Sequence, residues 1–321
     1  MLRRSTNRAV SFLAMVAVAA LAACSKTADE PKEAAAAPAA AAVAETAPAP
    51  ASDNVRSFMI GELSAMALRD GNLELPNDNK VFGVGRTPEE VAAVLSAAGL
   101  PTDKLALTVA PLLVKANDRV LLFDTGAGTN FGPGSGKLQS SLTEAGVDPN
   151  SITDIFISHS HGDHVGGLLN AQGALAFPNA TIHLSAPEWK HMSGNQQYAA
   201  LNAAIKPKVD AFAPGVELIP GTVKAIEVKG HTPGHSAYLI TSSAASLLYV
   251  GDSMHHYVVS VQKPEWTIAF DGDAPTAQES RAELIASSAA NGQRIYAVHF
   301  PFPGLGTFEK RGEGFAWVRE N

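Results

Sequence analysis

The sequence predicts an α+β body in which two β-sheets pack face to face with helices outside. Two observations carry that expectation. From about Val55 the chain becomes a series of short β-rich segments punctuated by glycine and proline, and a few helical stretches are interleaved among them. The same alternation also admits a doubly wound parallel sheet, and composition does not choose between the two. No repeat at a solenoid or propeller period is present.

The elements follow in order. Thr87-Pro88-Glu89-Glu90 is a capping box with proline at the first helical position, and Gly99 closes that helix. Residues 106 to 115 and 119 to 123, rich in Leu and Val, predict a hairpin turning at Asn117-Asp118. Further strands are expected at 152 to 158, 181 to 185, 223 to 228, 237 to 241, 246 to 250 and 294 to 298. Helices are expected at 136 to 145 and 276 to 290.

The full chain of 321 residues, 46% hydrophobic and 17% charged, is long and apolar enough to bury an enzyme-sized core. Its first segment is set apart. Arg3, Arg4 and Arg8 precede an apolar run from Ala9 to Ala23 that is short for a membrane span, so residues 1 to 23 read as an export signal. Leu21-Ala22-Ala23-Cys24 resembles a bacterial lipobox, which implies that Cys24 is lipidated and holds the chain on the cell envelope. Cys24 is the only cysteine, so internal disulfides and thiolate metal cages are excluded. Residues 25 to 54, dominated by Ala, Pro and small polar residues, read as a tether reaching roughly 30 Å as a flexible coil. The folded body is then 55 to 321. Losing residues 1 to 23 removes three arginines and no acid, which moves the formal charge from -7 to -10. That charge disfavours nucleic acid as a partner. The sequence leaves the oligomeric state open, a homodimer included.

Ile155-Phe156-Ile157-Ser158 is a compact apolar strand that delivers His159-Ser160-His161-Gly162-Asp163-His164 at its end. Three imidazoles and a carboxylate within six residues are not a core-packing pattern. Residues two apart on an extended segment face the same way, so His159 and His161 can share one ion, while Asp163 and His164 on the following turn can point to a second. Imidazole and carboxylate ligands without thiolate suit zinc and also admit manganese, cobalt or iron.

These residues match in full the H-x-H-x-D-H signature of the metallo-β-lactamase superfamily, and the sequence resembles that superfamily in its later landmarks too. They are Gly230-His231-Thr232-Pro233-Gly234-His235, then Gly251-Asp252 after a strand, then His299 after another. The resemblance implies the αβ/βα four-layer sandwich. It implies that His159, His161 and His235 hold one metal, that Asp163, His164 and His299 hold the other, and that Asp252 bridges them. Asp252 and Asp163 are then the candidate catalytic residues. Two divalent ions, zinc first among the candidates, would lower the pKa of a shared water toward ~7 and direct the resulting hydroxide at an electrophile. Asp124 and His231 are candidate partners that orient ligating histidines.

Within the superfamily the chain resembles the branch of methyl parathion hydrolase and its lactonase-like relatives. The stretches Leu122-Phe123-Asp124-Thr125-Gly126-Ala127, Phe131-Gly132-Pro133, Leu175 to Ala180 and Phe302 to Gly306 carry that likeness. It implies an aromatic pocket of Phe131, Trp189 and Tyr198 beside the metals, taking small apolar esters: organophosphate triesters, lactones or aryl esters. The alternatives are a lactonase or aryl esterase without significant phosphotriesterase activity, a mononuclear iron dioxygenase of the same fold, and a binding lipoprotein on a borrowed fold. The complete set Asp163, His164 and His299 weighs against the dioxygenase, and ligands at all seven positions weigh against the binding protein.

Overall fold

A computed structural model describes residues 52–320. The expected export signal, Cys24 and the expected tether up to residue 51 lie outside the described residues. The body is a mixed α/β structure of two seven-stranded sheets flanked by helices.

Period-two side-chain alternation assigns the faces. In Arg119–Phe123, Leu121 and Phe123 point into the layer between the sheets and Leu122 points out under the helices; in the neighbouring Leu112–Ala116, Leu112, Val114 and Ala116 point in and Leu113 out. Along the first sheet the order is Val55–Ile60, Leu63–Leu68, Leu112–Ala116, Arg119–Phe123, Asp154–Phe156, Thr181–Ser185 and Val209–Phe212. Its first pairings are antiparallel, and those from Arg119–Phe123 onward are parallel. The second sheet runs Glu217–Ile219, Val223–Glu227, Ser236–Ser242, Ala245–Tyr249, Ile295–Tyr296, Leu305–Arg311 and Gly314–Arg319. Helices Leu138–Glu144 and Ala186–Ser193 cover the first sheet, and Ala274–Ala290 covers the second through Leu284 and Ile285.

Aromatic rings from both sheets fill the layer between them. Phe123 stacks on Phe156 with centroids 5.0 Å apart, and Tyr249 stacks on Tyr296 at 5.6 Å. Tyr238 and Tyr249 also carry their hydroxyls to the end of the sandwich where the His159 to His164 segment lies, Tyr238 donating to Ile157 O at 2.6 Å and Tyr249 to Asp124 Oδ2 at 2.7 Å. A buried tyrosine needs such a partner, and here the partner belongs to the site.

The helix expected after Thr87 forms as Pro88–Ala97, with both bonds of the capping box present. The expected hairpin is corrected in its first arm. Leu112–Ala116 pairs with Arg119–Phe123, but Lys104–Val109 leaves for a separate ribbon with Gly71–Pro76. Pro111 breaks the run because it lacks an N–H for the ladder. The backbone just before it turns toward His299 instead: Thr108 N–H donates to His299 O and Ala110 N–H to Val298 O, both at 3.1 Å.

Candidate metal centre

The segment after Asp154–Phe156 leaves the interior of the parallel part of the sheet and turns into the short helix Gly162–Val165, which delivers His159 and His161 to one side and Asp163 and His164 to the other. His159 Nε2, His161 Nδ1 and His231 Nε2 converge, with separations of 2.9, 3.1 and 3.0 Å. Such spacing is comparable to the edge of a coordination polyhedron with metal–nitrogen bonds of ~2.0–2.1 Å. The second group is Asp163, His164 and His299.

Asp252 lies between the groups and gives one oxygen to each. Its Oδ2 is 3.5 Å from His159 Nε2 and 3.4 Å from His231 Nε2, whereas Oδ1 is 3.2 Å from His164 Nε2 and 3.0 Å from His299 Nε2. His164 Nε2 and Asp252 Oδ1 are both buried without a hydrogen-bond partner. Buried lone pairs that converge without donors fit cations, so the donor set suits two divalent ions.

The histidine assignment of the Gly230 to His235 stretch is corrected. His235 Nε2 accepts the Asp252 backbone N–H at 2.9 Å, and its Nδ1 donates to Val228 O at 3.2 Å. Both ring nitrogens are therefore spent on backbone, and no lone pair is left for a metal. His231, expected to orient a ligand, instead joins His159, His161 and Asp252 in a group that could hold a metal, and His235 braces the backbone of Asp252. The two residues exchange roles.

Three of the clustered rings are held from behind. Asp124, at a left-handed φ of 58°, accepts from His164 Nδ1, Ser158 Oγ and Tyr249 Oη through Oδ2, each at 2.7 Å, and from Ser158 N–H through Oδ1. His299 Nδ1 donates to Thr108 O at 2.8 Å. His231 Nδ1 donates at 2.9 Å to Asp271, whose other oxygen takes a 2.6 Å bond from the fully buried Arg281. Fixing one nitrogen this way sets the tautomer that offers the other to a metal.

Two carboxylates absent from the sequence expectations clamp the loops. Glu188 Oε1 accepts from Ser160 N–H and Oγ, and Oε2 accepts from Thr232 Oγ1 and Gly234 N–H, so one side chain ties together both histidine-bearing loops. Asp70 accepts from the N–H groups of Ala127, Gly136 and Leu138, and burial raises its carboxyl above the ordinary range against the pull of those bonds. No spacing rule marks either residue, because their partners come together only in the fold.

Electrostatics divides the cluster. Burial, reinforced by neighbouring His164, pushes the His159 imidazole well below its usual value; burial with His231 beside it lowers His161 to about 4 and His235 to about 3. These rings are neutral at physiological pH. Burial opposes protonation of His164 as well, but Asp252, Asp163 and Asp124 outweigh it and push that imidazole well above its usual value. Against its own burial, Asp252 is held well below the carboxylate range by His164, His299 and His255. The pocket thus sets an ionised Asp252 beside His159 and His161 held neutral, while the same carboxylate raises His164, His231 and His299 and so favours positive charge at that position.

Of the expected pocket residues, Phe131 is 45% exposed and its ring edge lies over Gly162, where an added Cβ would be 3.4 Å from Phe131 Cε2. Trp189 and Tyr198 pack partly buried against the core under the first sheet. Burial and the charges of Glu188 and Asp163 raise the Tyr198 phenol.

Residues 107–299, more than half of the chain, match the metallo-beta-lactamase superfamily. The chain belongs to that superfamily. Among solved structures it is similar to AidC, a dizinc quorum-quenching lactonase in complex with a product, at 29% identity and a TM-score of 0.78 over 84% of this chain and 98% of that one. It is also similar to the hydrolase AbOPH of the beta lactamase superfamily, at 27% identity and a TM-score of 0.75 over 85% and 99%. An N-acyl homoserine lactonase from Bacillus sp is 30% identical over 37% of this chain and 45% of its own length. The chain spans less than two thirds of the length of the curated relatives it matches.

Proposed function

We propose that the chain is a dinuclear metal-dependent hydrolase of apolar esters, with lactones as the substrate class and aryl esters as secondary substrates. The observation that carries this reading is Asp252, which gives one carboxylate oxygen to each of two complete ligand groups. His159, His161 and His231 would hold one ion, Asp163, His164 and His299 the other. When bound, two divalent cations supply an activated water and offset the charge that grows on the carbonyl oxygen.

The chain's own residues do the rest. Asp124, Asp271 and the Thr108 carbonyl keep His164, His231 and His299 in their ligating tautomers. The water oxygen adds to the carbonyl carbon, the bond from that carbon to the ring oxygen breaks, and the ring oxygen takes a proton to give a hydroxy acid. Asp163, whose side chain keeps 12% exposure while His164 is fully buried and Asp252 is 4% exposed, is the carboxylate placed to pass that proton. Phe131 supplies an exposed aromatic wall for an apolar acyl group.

Likeness to a lactonase that covers nearly all of its chain favours lactones over phosphotriesters. The phosphotriester alternative rests on the short stretches around Asp124, Phe131 and Phe302. A panel of N-acyl-homoserine lactones, 4-nitrophenyl esters and methyl parathion separates the readings. Lactones should show kcat/KM at least about tenfold above the phosphotriester, a difference of ~1.4 kcal/mol in barrier. The reverse order would replace the lactone reading by the phosphotriester one, and oxygen-dependent turnover would replace both.

Attachment to the cell envelope through Cys24 is part of this proposal and is supported by the lipobox alone. In a bacterial host Cys24→Ser should move the protein from the membrane to the soluble fraction with its specific activity unchanged. Continued membrane retention would remove the anchor from the account.

A further inference from the structure

A cavity of about 390 Å³ lies outside the metal centre, and none of the seven residues of that centre lines it. One wall is a face of the ribbon formed by Gly71–Pro76 and Lys104–Val109. Cross-strand pairing sets Asn72 against Thr108 and Glu74 against Ala106. Alternation turns these four and Lys104 to the cavity, while Leu73, Leu75 and Leu105 face the apolar cluster of Phe82 and Val91. Leu95, Leu100 and Phe302 add apolar lining.

Two polar groups in this lining have donors to spare. Arg69 lays its guanidinium over the Phe302 ring at 4.5 Å, donates through Nε to Asp53 O at 2.9 Å and through Nη1 to Asn72 Oδ1 at 3.4 Å, and has no partner for Nη2 among the described residues. His256 is 3% exposed, and its Nδ1 accepts from Val258 N–H at 3.3 Å and Val259 N–H at 3.2 Å, which places the ring proton on Nε2. That N–H has no partner among the described residues, on a ring that lines the cavity. A buried donor without an acceptor is costly, and a ligand oxygen would remove the cost. The charges in the lining also leave a remainder. Lys104 and Glu74 pair at 2.8 Å, so Arg69 supplies one uncompensated positive charge in a chain of formal charge -7. The charges nearest to it outside the lining, Asp53 and Arg319, act on Arg69 in opposite senses.

We propose that this cavity is a second ligand site, separate from the metals, for a monocarboxylic acid with an apolar chain: the carboxylate accepts from Arg69 Nη2 and His256 Nε2–H, and the chain lies along Leu95, Leu100 and Phe302. A charge-assisted bond to a guanidinium holds the head group, and the volume falls within the ~300–1,000 Å³ of small-molecule sites, which leaves room for the chain. Inorganic anions would meet the same donors and gain nothing from the leucines, whereas a neutral alcohol would gain from the leucines alone. The site stands independently of the hydrolytic reading. It adjoins the metal centre through Thr108, which lines the cavity and whose carbonyl holds His299 Nδ1.

The probe is octanoate, with acetate as the control without a chain and octanol as the control without a charge. Metal-loaded full-length protein carrying Cys24→Ser, which avoids the lipid, is labelled with carbon-13 in its Leu and Ala methyl groups, and the NMR signals of Leu95, Leu100 and Ala106 are followed during titration. Octanoate should shift all three saturably with a dissociation constant on the order of 1 mM or below, and both controls should bind at least about tenfold more weakly. Arg69→Gln should weaken octanoate about tenfold, and His256→Asn, which keeps an acceptor for the Val258 and Val259 N–H groups, should weaken it about threefold or more. Ala106→Phe, which fills the cavity from its wall, should abolish the shifts. Methyl signals elsewhere report that each variant is folded, and the comparison of the three probes on the parent needs no variant. Octanoate that leaves the three signals in place, binding at the metals alone included, would overturn the site. Octanol binding as tightly as octanoate, or undiminished binding in folded Arg69→Gln, would overturn the carboxylate assignment.

Discussion

Replacing Asp252 with alanine should lower kcat/KM by about three orders of magnitude or more, equivalent to ~4 kcal/mol of lost transition-state stabilisation. The expectation follows from position. Every other ligand serves one group, whereas Asp252 faces both, with Oδ2 toward His159 and His231 and Oδ1 toward His164 and His299. Its loss also leaves His164 and His299, both raised above their usual values largely by this carboxylate, without their main counter-charge. Metal content measured on the same preparation should fall below that of any variant at an outer ligand. A variant that keeps both ions and loses less than tenfold would show that the carboxylate is not shared.

The second large effect separates two histidines four residues apart. His231→Ala should lose about one metal equivalent and two to three orders of magnitude in kcat/KM, because its Nε2 completes the triangle with His159 and His161. His235→Ala should keep both ions. It frees the Asp252 N–H and the Val228 carbonyl in a buried setting, so its cost should appear as about 1–3 kcal/mol of stability, read as a lower urea midpoint. Metal loss in His235→Ala with retention in His231→Ala would reverse the assignment made from the geometry.

The contrast between these two residues also marks where sequence reasoning ran out. His159, His161, Asp163 and His164 were legible because four donors in six residues on a strand end have no competing structural explanation. In Gly230 to His235 the two histidines share one motif, and the features that separate them are distant in sequence. Asp271, forty residues on, fixes the tautomer of His231, while the backbone of Asp252 consumes His235. Asp124 was legible as a partner through its place at the end of an apolar strand. Glu188 and Asp70 were not, since a carboxylate that clamps loops looks like any surface acid until the loops meet. The layered fold was legible in the short β-rich segments interleaved with helices, and its choice over a doubly wound sheet came from the family resemblance, but the break at Pro111 depended on where Thr108 and Ala110 could find acceptors beside His299. The hairpins Val55–Leu68 and Leu305–Arg319 escaped assignment as strands because the outermost strand of each, Val55–Ile60 and Gly314–Arg319, has mixed burial and lacks the continuous apolar runs of the central strands.

The most direct measurement is the metal content of the purified full-length protein, by elemental analysis after exhaustive dialysis, paired with hydrolysis before and after chelation. The account predicts close to two equivalents of a divalent metal such as zinc, loss of lactone hydrolysis on chelation, and its return when metal is restored. A single equivalent in an active preparation, or hydrolysis that survives complete removal of metal, would contradict a centre built from His159, His161, His231, Asp163, His164, His299 and Asp252.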